Sequence, residues 1–251
     1  MSIKPEKKLL VSLGKVGGRT NSGRITVRHR GGGVKRLYRI IDFGEAKLGL
    51  KGKIVSLEYD PYRTALIALV VYEDGEKKYI IAAKDLKVGD EVVCQDNAEI
   101  RAGNRIRLKN IPVGTKVFNL ELEPGKGGKL IRGAGTSAIV LAQEPGFSNI
   151  ELPSKEVRKI PAECFATIGQ VSHAEHRFEN WGKAGRRRLK GWRPSVRGTA
   201  MNPPDHPHGH GGGRTSRGMK HPKTPWGKPA FGVRTRPRKW TDKYIITRRK
   251  P

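Results

Sequence analysis

Acidic residues are scarce in this chain. Its 251 residues include 23 Asp and Glu against 51 Lys and Arg, a formal charge of +28. Self-repulsion at that charge is large, and a polyanionic partner is the natural way to neutralise it. Apolar material is also limited, at 35% hydrophobic and 6% aromatic, while 32 Gly and 16 Pro punctuate the sequence. One large hydrophobic core is therefore excluded. The longest apolar run, residues 65–72, spans 8 residues, against the roughly 20 of a membrane-spanning helix. Leu9-Leu10-Val11 is too short for the apolar core of a secretory leader. The 2 cysteines, Cys94 and Cys164, lie far apart and form no pair motif. That spacing argues against a disulfide framework or a thiolate zinc site and for a reducing compartment.

The charge is unevenly placed. Residues 1–36 carry a net +9, residues 37–180 a net +1 and residues 181–251 a net +18. A charge run on a solvated face alternates in sign, whereas these two flanks are almost free of acids, which points to polyanion binding. The last 71 residues also hold 11 Gly and 9 Pro. Such a segment buries too little apolar surface to offset its chain entropy, so no fixed structure is expected of it when free.

The middle is mainly β. Short runs rich in β-branched and aromatic residues recur at 38–43, 53–59, 65–72, 78–82 and 91–94, separated by turns that include Asp60-Pro61 and the hairpin signal Asp74-Gly75. An OB-type barrel over 37–110 fits this spacing. A second series at 116–122, 138–142, 147–152, 157–160 and 166–171, with turns at Pro124-Gly125 and Pro145-Gly146, fits an SH3-like barrel over 111–180. Extended basic arms occupy 1–36 and 181–251. The Ile, Val and Leu residues of these runs are expected to be core. Helix is scarce, with the best short candidate at 174–181.

No catalytic constellation emerges. Gly125-Lys126-Gly127-Gly128-Lys129 lacks the spacing and the Ser or Thr of a nucleotide-binding phosphate loop and sits between strands. Read physically, it is a cationic Gly-rich loop that can hold a backbone phosphate. The run from Asp205 through His206, His208 and His210 to Arg214 is the densest cluster of polar chemistry. Metal binding and Asp205–His206 acid–base work both need a scaffold that Pro and Gly do not provide. Contact with RNA, by stacking or by donation to phosphate and 2′-hydroxyl, and plain loop filler remain. No cofactor, no metal and no enzymatic activity are expected. Both flanks place cations beside Gly or Trp, and all 4 Trp lie beyond residue 180, available to stack on a base or plug a groove.

The motifs now in view are recognisable. Gly198-Thr199-Ala200-Met201-Asn202-Pro203-Pro204-Asp205-His206-Pro207-His208-Gly209 resembles a signature of the large-subunit ribosomal protein conventionally numbered two, in its bacterial or organellar form. So do Gly17-Gly18-Arg19 with Gly23-Arg24-Ile25-Thr26, Leu57-Glu58-Tyr59-Asp60-Pro61, Asn110-Ile111-Pro112-Val113-Gly114, Pro124-Gly125-Lys126-Gly127-Gly128, Ala174-Glu175-His176, Gly182-Lys183-Ala184-Gly185, Trp192-Arg193-Pro194-Ser195-Val196-Arg197 and Thr241-Asp242-Lys243. They occur in the family's order from about residue 14 onward. The resemblance implies the two barrels already expected, with extensions threaded into large-subunit ribosomal RNA. It implies a primary RNA binder that supports subunit assembly, subunit association and the peptidyl-transferase region, with neighbouring ribosomal proteins and the small subunit as further partners and no membrane. The ribosome would be cytoplasmic, with an organellar one as the alternative.

The expected RNA contacts in the first arm are Arg19, Arg24, Arg28, His29, Arg30, Lys35 and Arg36. In the middle they are Lys126, Lys129 and Arg132. Beyond residue 180 they are Lys183, Arg186, Arg187, Arg188, Trp192, Arg193 and Arg197, then Asn202, Asp205, His206 and His208. Arg214, Arg217, Lys220, Lys223, Arg234, Arg236, Arg238, Lys239, Arg248 and Arg249 complete the set. The segment before Gly17 is shorter than the arm usual in bacterial members. His210 has no counterpart in the family's Gly-rich run, so no role carries over to it.

Overall fold

The computed structural model describes residues 4–14, 17–44, 47–212 and 218–249, so the expected contacts Arg214 and Arg217 lie outside the described residues. Two units divide the chain. The first comprises Met1–Leu13, Arg36–Asn180 and Trp240–Pro251, and the second Gly14–Lys35 and Trp181–Lys239.

Every strand among the described residues belongs to the first unit, and every ladder is antiparallel. Strands β1 (Leu10–Ser12) and β2 (Leu37–Arg39) pair with Leu10 opposite Arg39. A four-stranded sheet contains β3 (Lys51–Tyr59), β4 (Leu66–Tyr72), β5 (Lys77–Ile81) and β6 (Glu91–Val93) in the order β5-β4-β3-β6. A seven-stranded sheet contains β7 (Arg105–Arg107), β8 (Lys116–Phe118), β9 (Ala138–Glu144), β10 (Phe147–Glu151), β11 (Val157–Pro161), β12 (Phe165–Ile168) and β13 (Ile245–Thr247). Its order is β13-β11-β10-β9-β8-β12-β7. The mainly β architecture with little helix is thus observed.

Local chemistry explains the turns. Gly75 takes the left-handed conformation between β4 and β5, and the Asp74 carboxylate accepts the Glu76 amide at 3.0 Å. Beneath the strands lie two apolar clusters. One gathers Ile54, Ile67, Val70, Tyr79, Ile81 and Val92. The other gathers Ile106, Leu108, Val117, Val140, Ile150 and Ile160.

Not every Ile, Val and Leu of the expected runs is core, contrary to the expectation. Ile40, Val55 and Leu141 are exposed. For Val55 the cause is plain alternation, because β3 turns Gly52, Ile54, Ser56 and Glu58 inward and the residues between them outward, and the β3–β4 register shift between Ile54 and Ser56 leaves that pattern unbroken. The inward positions thus include the polar Ser56 and Glu58. They satisfy one another at 2.9 Å, and the Tyr79 hydroxyl donates to Glu58 at 2.9 Å. Helix also differs in part. Residues 174–178 form a 3₁₀ helix, Ala174–Phe178, and the one α-helix among the described residues, α1 (Ala184–Leu189), was not foreseen.

The larger sheet contains a buried ion pair. Arg105 donates to Glu121 at 2.7 Å and to the Asn119 carbonyl at 2.7 Å. Glu121 also accepts the Phe165 amide at 3.0 Å and the Gly125 amide at 3.3 Å. This carboxylate therefore ties the sheet to the cationic loop after Leu122. Burial pushes the Cys94 thiol up to about 11 and the Cys164 thiol up to about 12, so both stay protonated and unreactive near neutral pH.

The ladders also tie down both basic segments. The β1–β2 pairing closes the base of residues 13–36. After residue 239 the chain returns to the first unit, where β13 pairs with β11 and forms the edge of the sheet. Each cationic stretch is thus an excursion held at both ends.

In the second unit, His29 to Val34 pairs with Leu189 to Arg193. The Gly31 amide donates to the Gly191 carbonyl at 3.1 Å, Val34 to Leu189 at 3.0 Å, and Arg193 to His29 at 3.0 Å. Composition predicted a shapeless tail, and the difference is that the two arms supply backbone partners to one another. The other half of the expectation holds: among its described residues only Gly18 and His206 are buried, and no apolar side chain is.

Replacing Arg105 by Met strands the Glu121 carboxylate in a dry site. That change is expected to cost about 3–5 kcal/mol of unfolding free energy, measured by guanidinium denaturation. A loss below about 1 kcal/mol would show that the pair holds nothing together.

Candidate nucleic-acid interface

The second unit starts from a tight loop. Gly18 is buried with φ +68°, and a Cβ there would overlap the Val27 carbonyl. Its own carbonyl accepts the Thr26 amide at 2.8 Å and the Val27 amide at 3.0 Å. Arg19 is spent inside this loop, on the Gly23 carbonyl at 2.7 Å. Arg24 and Arg28 are exposed.

Cations and Trp rings interlock next. The Arg30 guanidinium lies 3.5 Å from the Trp192 ring centroid, and Arg187 of α1 lies 5.6 Å from the same ring. Arg28 covers Trp226 at 5.0 Å, and Lys190 covers Trp181 at 4.2 Å. His29, left-handed at φ +60°, donates its Nδ1 hydrogen to the Pro194 carbonyl at 3.1 Å. The rings thus hold cations in place, while Lys35, Lys183, Arg186, Arg188, Arg193 and Arg197 point outward in exposed positions.

The Asp-His-Pro-His run folds on itself. His206 is buried against Gly198, where a Cβ would overlap the imidazole. The His206 and His208 rings stack at 5.3 Å. His206 Nδ1 accepts the His208 amide at 3.0 Å, and His208 Nε2 accepts the Lys223 amide at 2.8 Å. His210 Nδ1 accepts the Gly212 amide at 2.9 Å. Ring nitrogens that a metal would need are committed to backbone donors. No hydrogen bond links the exposed Asp205 carboxylate to the His206 ring among the described residues, so the acid–base pair is not assembled. The Asn202 carbonyl accepts the Asp205 amide at 3.0 Å, closing the turn. Lys220, Arg234, Arg236, Arg238 and Lys239 are exposed on chain without strand or helix.

The first unit adds its own cations. The loop from Pro124 to Lys129 hangs between Asn119 and Ile131, both left-handed at φ +48° and +56° and joined by an amide–carbonyl bond of 2.9 Å. A β-branched residue at such a φ is strained by about 1–3 kcal/mol. Lys126 is paired with Glu123, whereas exposed Lys129 has no carboxylate partner among the described residues. Arg132 stands over Phe43 at 4.5 Å and Arg36 over Tyr62 at 4.6 Å. Between them lies Arg63, held by Asp60 at 2.5 Å, with Tyr38 and Phe43 beneath it at 5.1 and 5.7 Å. Arg63, Tyr38, Tyr62 and Phe43 were missed from sequence; Tyr62-Arg63 directly after the Asp60-Pro61 turn was the available signal. Arg248 is bonded to Asp242 at 2.8 Å, and Arg249 is exposed.

The electrostatics of the two units differ. Many surface cations of the first unit have acids beside them. Lys109 and Arg107 hold the Glu163 carboxyl below the usual carboxylate range, and Lys159 does so for Glu144. The second unit has 22 Lys and Arg in 81 residues and a single acid, Asp205.

Residues 6–94 match the family described as Ribosomal Proteins L2, RNA binding N-terminal domain. Residues 101–227 match Ribosomal Proteins L2, C-terminal domain. The chain belongs to the ribosomal protein L2 family. As an L2 protein it is an RNA-binding, structural component of the large ribosomal subunit that serves translation, and it is not an enzyme. Its RNA partner is ribosomal RNA. Among the described residues no helix is long and apolar enough to cross a membrane. The L2 match spans both the loop at Gly18 and the His206 turn.

Trp192→Leu keeps an apolar side chain but releases Arg30 and Arg187. Two cation–π contacts of about 0.5–1 kcal/mol each translate into roughly 5- to 30-fold weaker binding to a large-subunit ribosomal RNA fragment at fixed salt. Unchanged affinity would mark the ring as a bystander.

Proposed function

We propose that this protein is a primary binder of large-subunit ribosomal RNA, and that its second unit takes its working stability from that RNA. The carrying observation is the pairing of extreme charge with no core. Twenty-one net positive charges sit on 81 residues without one buried apolar side chain among those described. Phosphate contacts from the exposed Arg and Lys residues supply most of the affinity, and Arg and His read RNA shape. The sites are those named above, with Arg36, Arg63, Lys129 and Arg132 as the contribution of the first unit. Through them the protein supports subunit assembly and association, and the Asp205–His208 turn supports the peptidyl-transferase region. Neighbouring ribosomal proteins and the small subunit are further partners, on a cytoplasmic or an organellar ribosome. We also assign an OB-type barrel within 37–110 and an SH3-like barrel within 111–180, supported by two antiparallel sheets and two apolar clusters, which share Ile131 at their margins and exchange Phe118 and Val171 for Ile106 and Leu108 across that boundary. In that reading β7 is the strand the first span lends to the second sheet.

A general compaction protein would share the charge but have no use for two built sheets. Binding of the RNA-free protein to its ribosomal RNA fragment should weaken at least about a thousandfold between about 50 and 200 mM salt. It should also exceed binding to duplex DNA of equal length. A flat salt response would contradict the phosphate account, and equal affinity for DNA would favour compaction. Replacing residues 14–35 and 181–239 by short Gly/Ser linkers should leave the sheets folded and remove most of the affinity.

A further inference from the structure

His173, His176 and Glu179 recur at intervals of three. In a strand, His173 and His176 would face opposite sides. In an α-helix the three would wind away from one another. A 3₁₀ helix has three residues per turn, so positions i, i+3 and i+6 stack in one column. A 3₁₀ helix, Ala174–Phe178, is found here with His176 inside it and the other two residues at its caps, His173 left-handed at the N-cap and Glu179 extended at the C-cap.

The donor atoms meet as the spacing requires. Glu179 Oε1 lies 3.1 Å from His176 Nδ1 and 3.6 Å from His173 Nε2. One ligand atom from each residue lies within 4.8 Å of the other two, the one such group of His, Cys, Asp and Glu among the described residues. A tetrahedral zinc ion with bonds of about 2.0–2.2 Å holds its donors about 3.3 Å apart. Two of the three edges are already near that length. The third closes by small side-chain rotations, which the side-chain exposures of 26%, 27% and 41% permit.

An independent feature also points to a ligand. His173 Nδ1 is 2.8 Å from the Thr64 carbonyl, which can only accept, so Nδ1 carries the hydrogen. The lone pair is thereby left on Nε2, the atom that faces Glu179. A metal-binding histidine is oriented in this way, with its second ring nitrogen donating to a backbone carbonyl. The backbone supports the arrangement at a cost, since His173 is held at φ +59°.

We propose that His173 Nε2, His176 Nδ1 and the Glu179 carboxylate bind one divalent transition-metal ion of the zinc type, with water in the fourth position. Two imidazoles and one carboxylate suit zinc and its neighbours and disfavour magnesium or calcium, which take oxygen donors. The cysteines have no part in it.

The test is a titration of the full-length, RNA-free chain with Zn²⁺ by calorimetry, with Co²⁺ as an optical probe. One saturable equivalent is expected, with the intense visible absorption of tetrahedral Co²⁺. His173→Asn and Glu179→Gln, made separately, should each weaken that equivalent at least about tenfold. No saturable binding, or one equivalent that both variants retain at full affinity, would overturn the assignment.

Discussion

Charge repulsion without a compensating core is the constraint on which this molecule turns. The second unit packs 22 cations and one carboxylate into 81 residues. Ordering a residue costs about 1–2 kcal/mol of backbone entropy. An exposed cation–π contact returns about 0.5–1 kcal/mol, and an intramolecular hydrogen bond about as much. The few rings and backbone bonds of this unit select a shape but do not stabilise it against that cost and its own charge. In the function proposed above phosphates do, because each one neutralises a cation and releases bound counterions to solvent.

The first unit has the opposite character. Its acids sit beside its cations, and its two apolar clusters carry ordinary burial energy. Beyond the cations proposed for it above, what it contributes is anchorage. The β1–β2 ladder fixes both ends of the first excursion and the β13 edge strand the far end of the second, which removes much of the loop freedom that a dangling arm would lose on binding. The Arg105–Glu121 pair performs a related service inside the sheet, where one buried carboxylate holds both a strand amide and the turn that presents Lys126 and Lys129.

Strand-level structure was legible because it is local. Alternation and the Asp74-Gly75 and Pro145-Gly146 turns reveal the hairpins directly. Val55 was misread because β3 alternates strictly and its inward positions include the polar Ser56 and Glu58, so residue type alone pointed to the wrong face. The family motifs marked the segments expected to face RNA, but not their internal bonding. That Trp192 lies beneath Arg30, and that Gly31 bonds to Gly191, depend on residues some 160 positions apart. Arg63 escaped notice because its partners Tyr38 and Phe43 meet it only through tertiary packing. The His173, His176 and Glu179 spacing was visible all along, yet only a 3₁₀ helix makes it a cluster, and the type of a five-residue helix is not readable from sequence.

The central claim is that RNA, not protein packing, stabilises the second unit. Native-state hydrogen exchange on the full chain, with and without its ribosomal RNA fragment, addresses this most directly. The account predicts strong protection of the β3, β4, β9 and β10 amides in both states. It predicts that the amides of Gly31, Val34 and Arg193 exchange freely in the protein alone and slow by orders of magnitude once RNA is bound. Equal, strong protection of those three amides without RNA would contradict it.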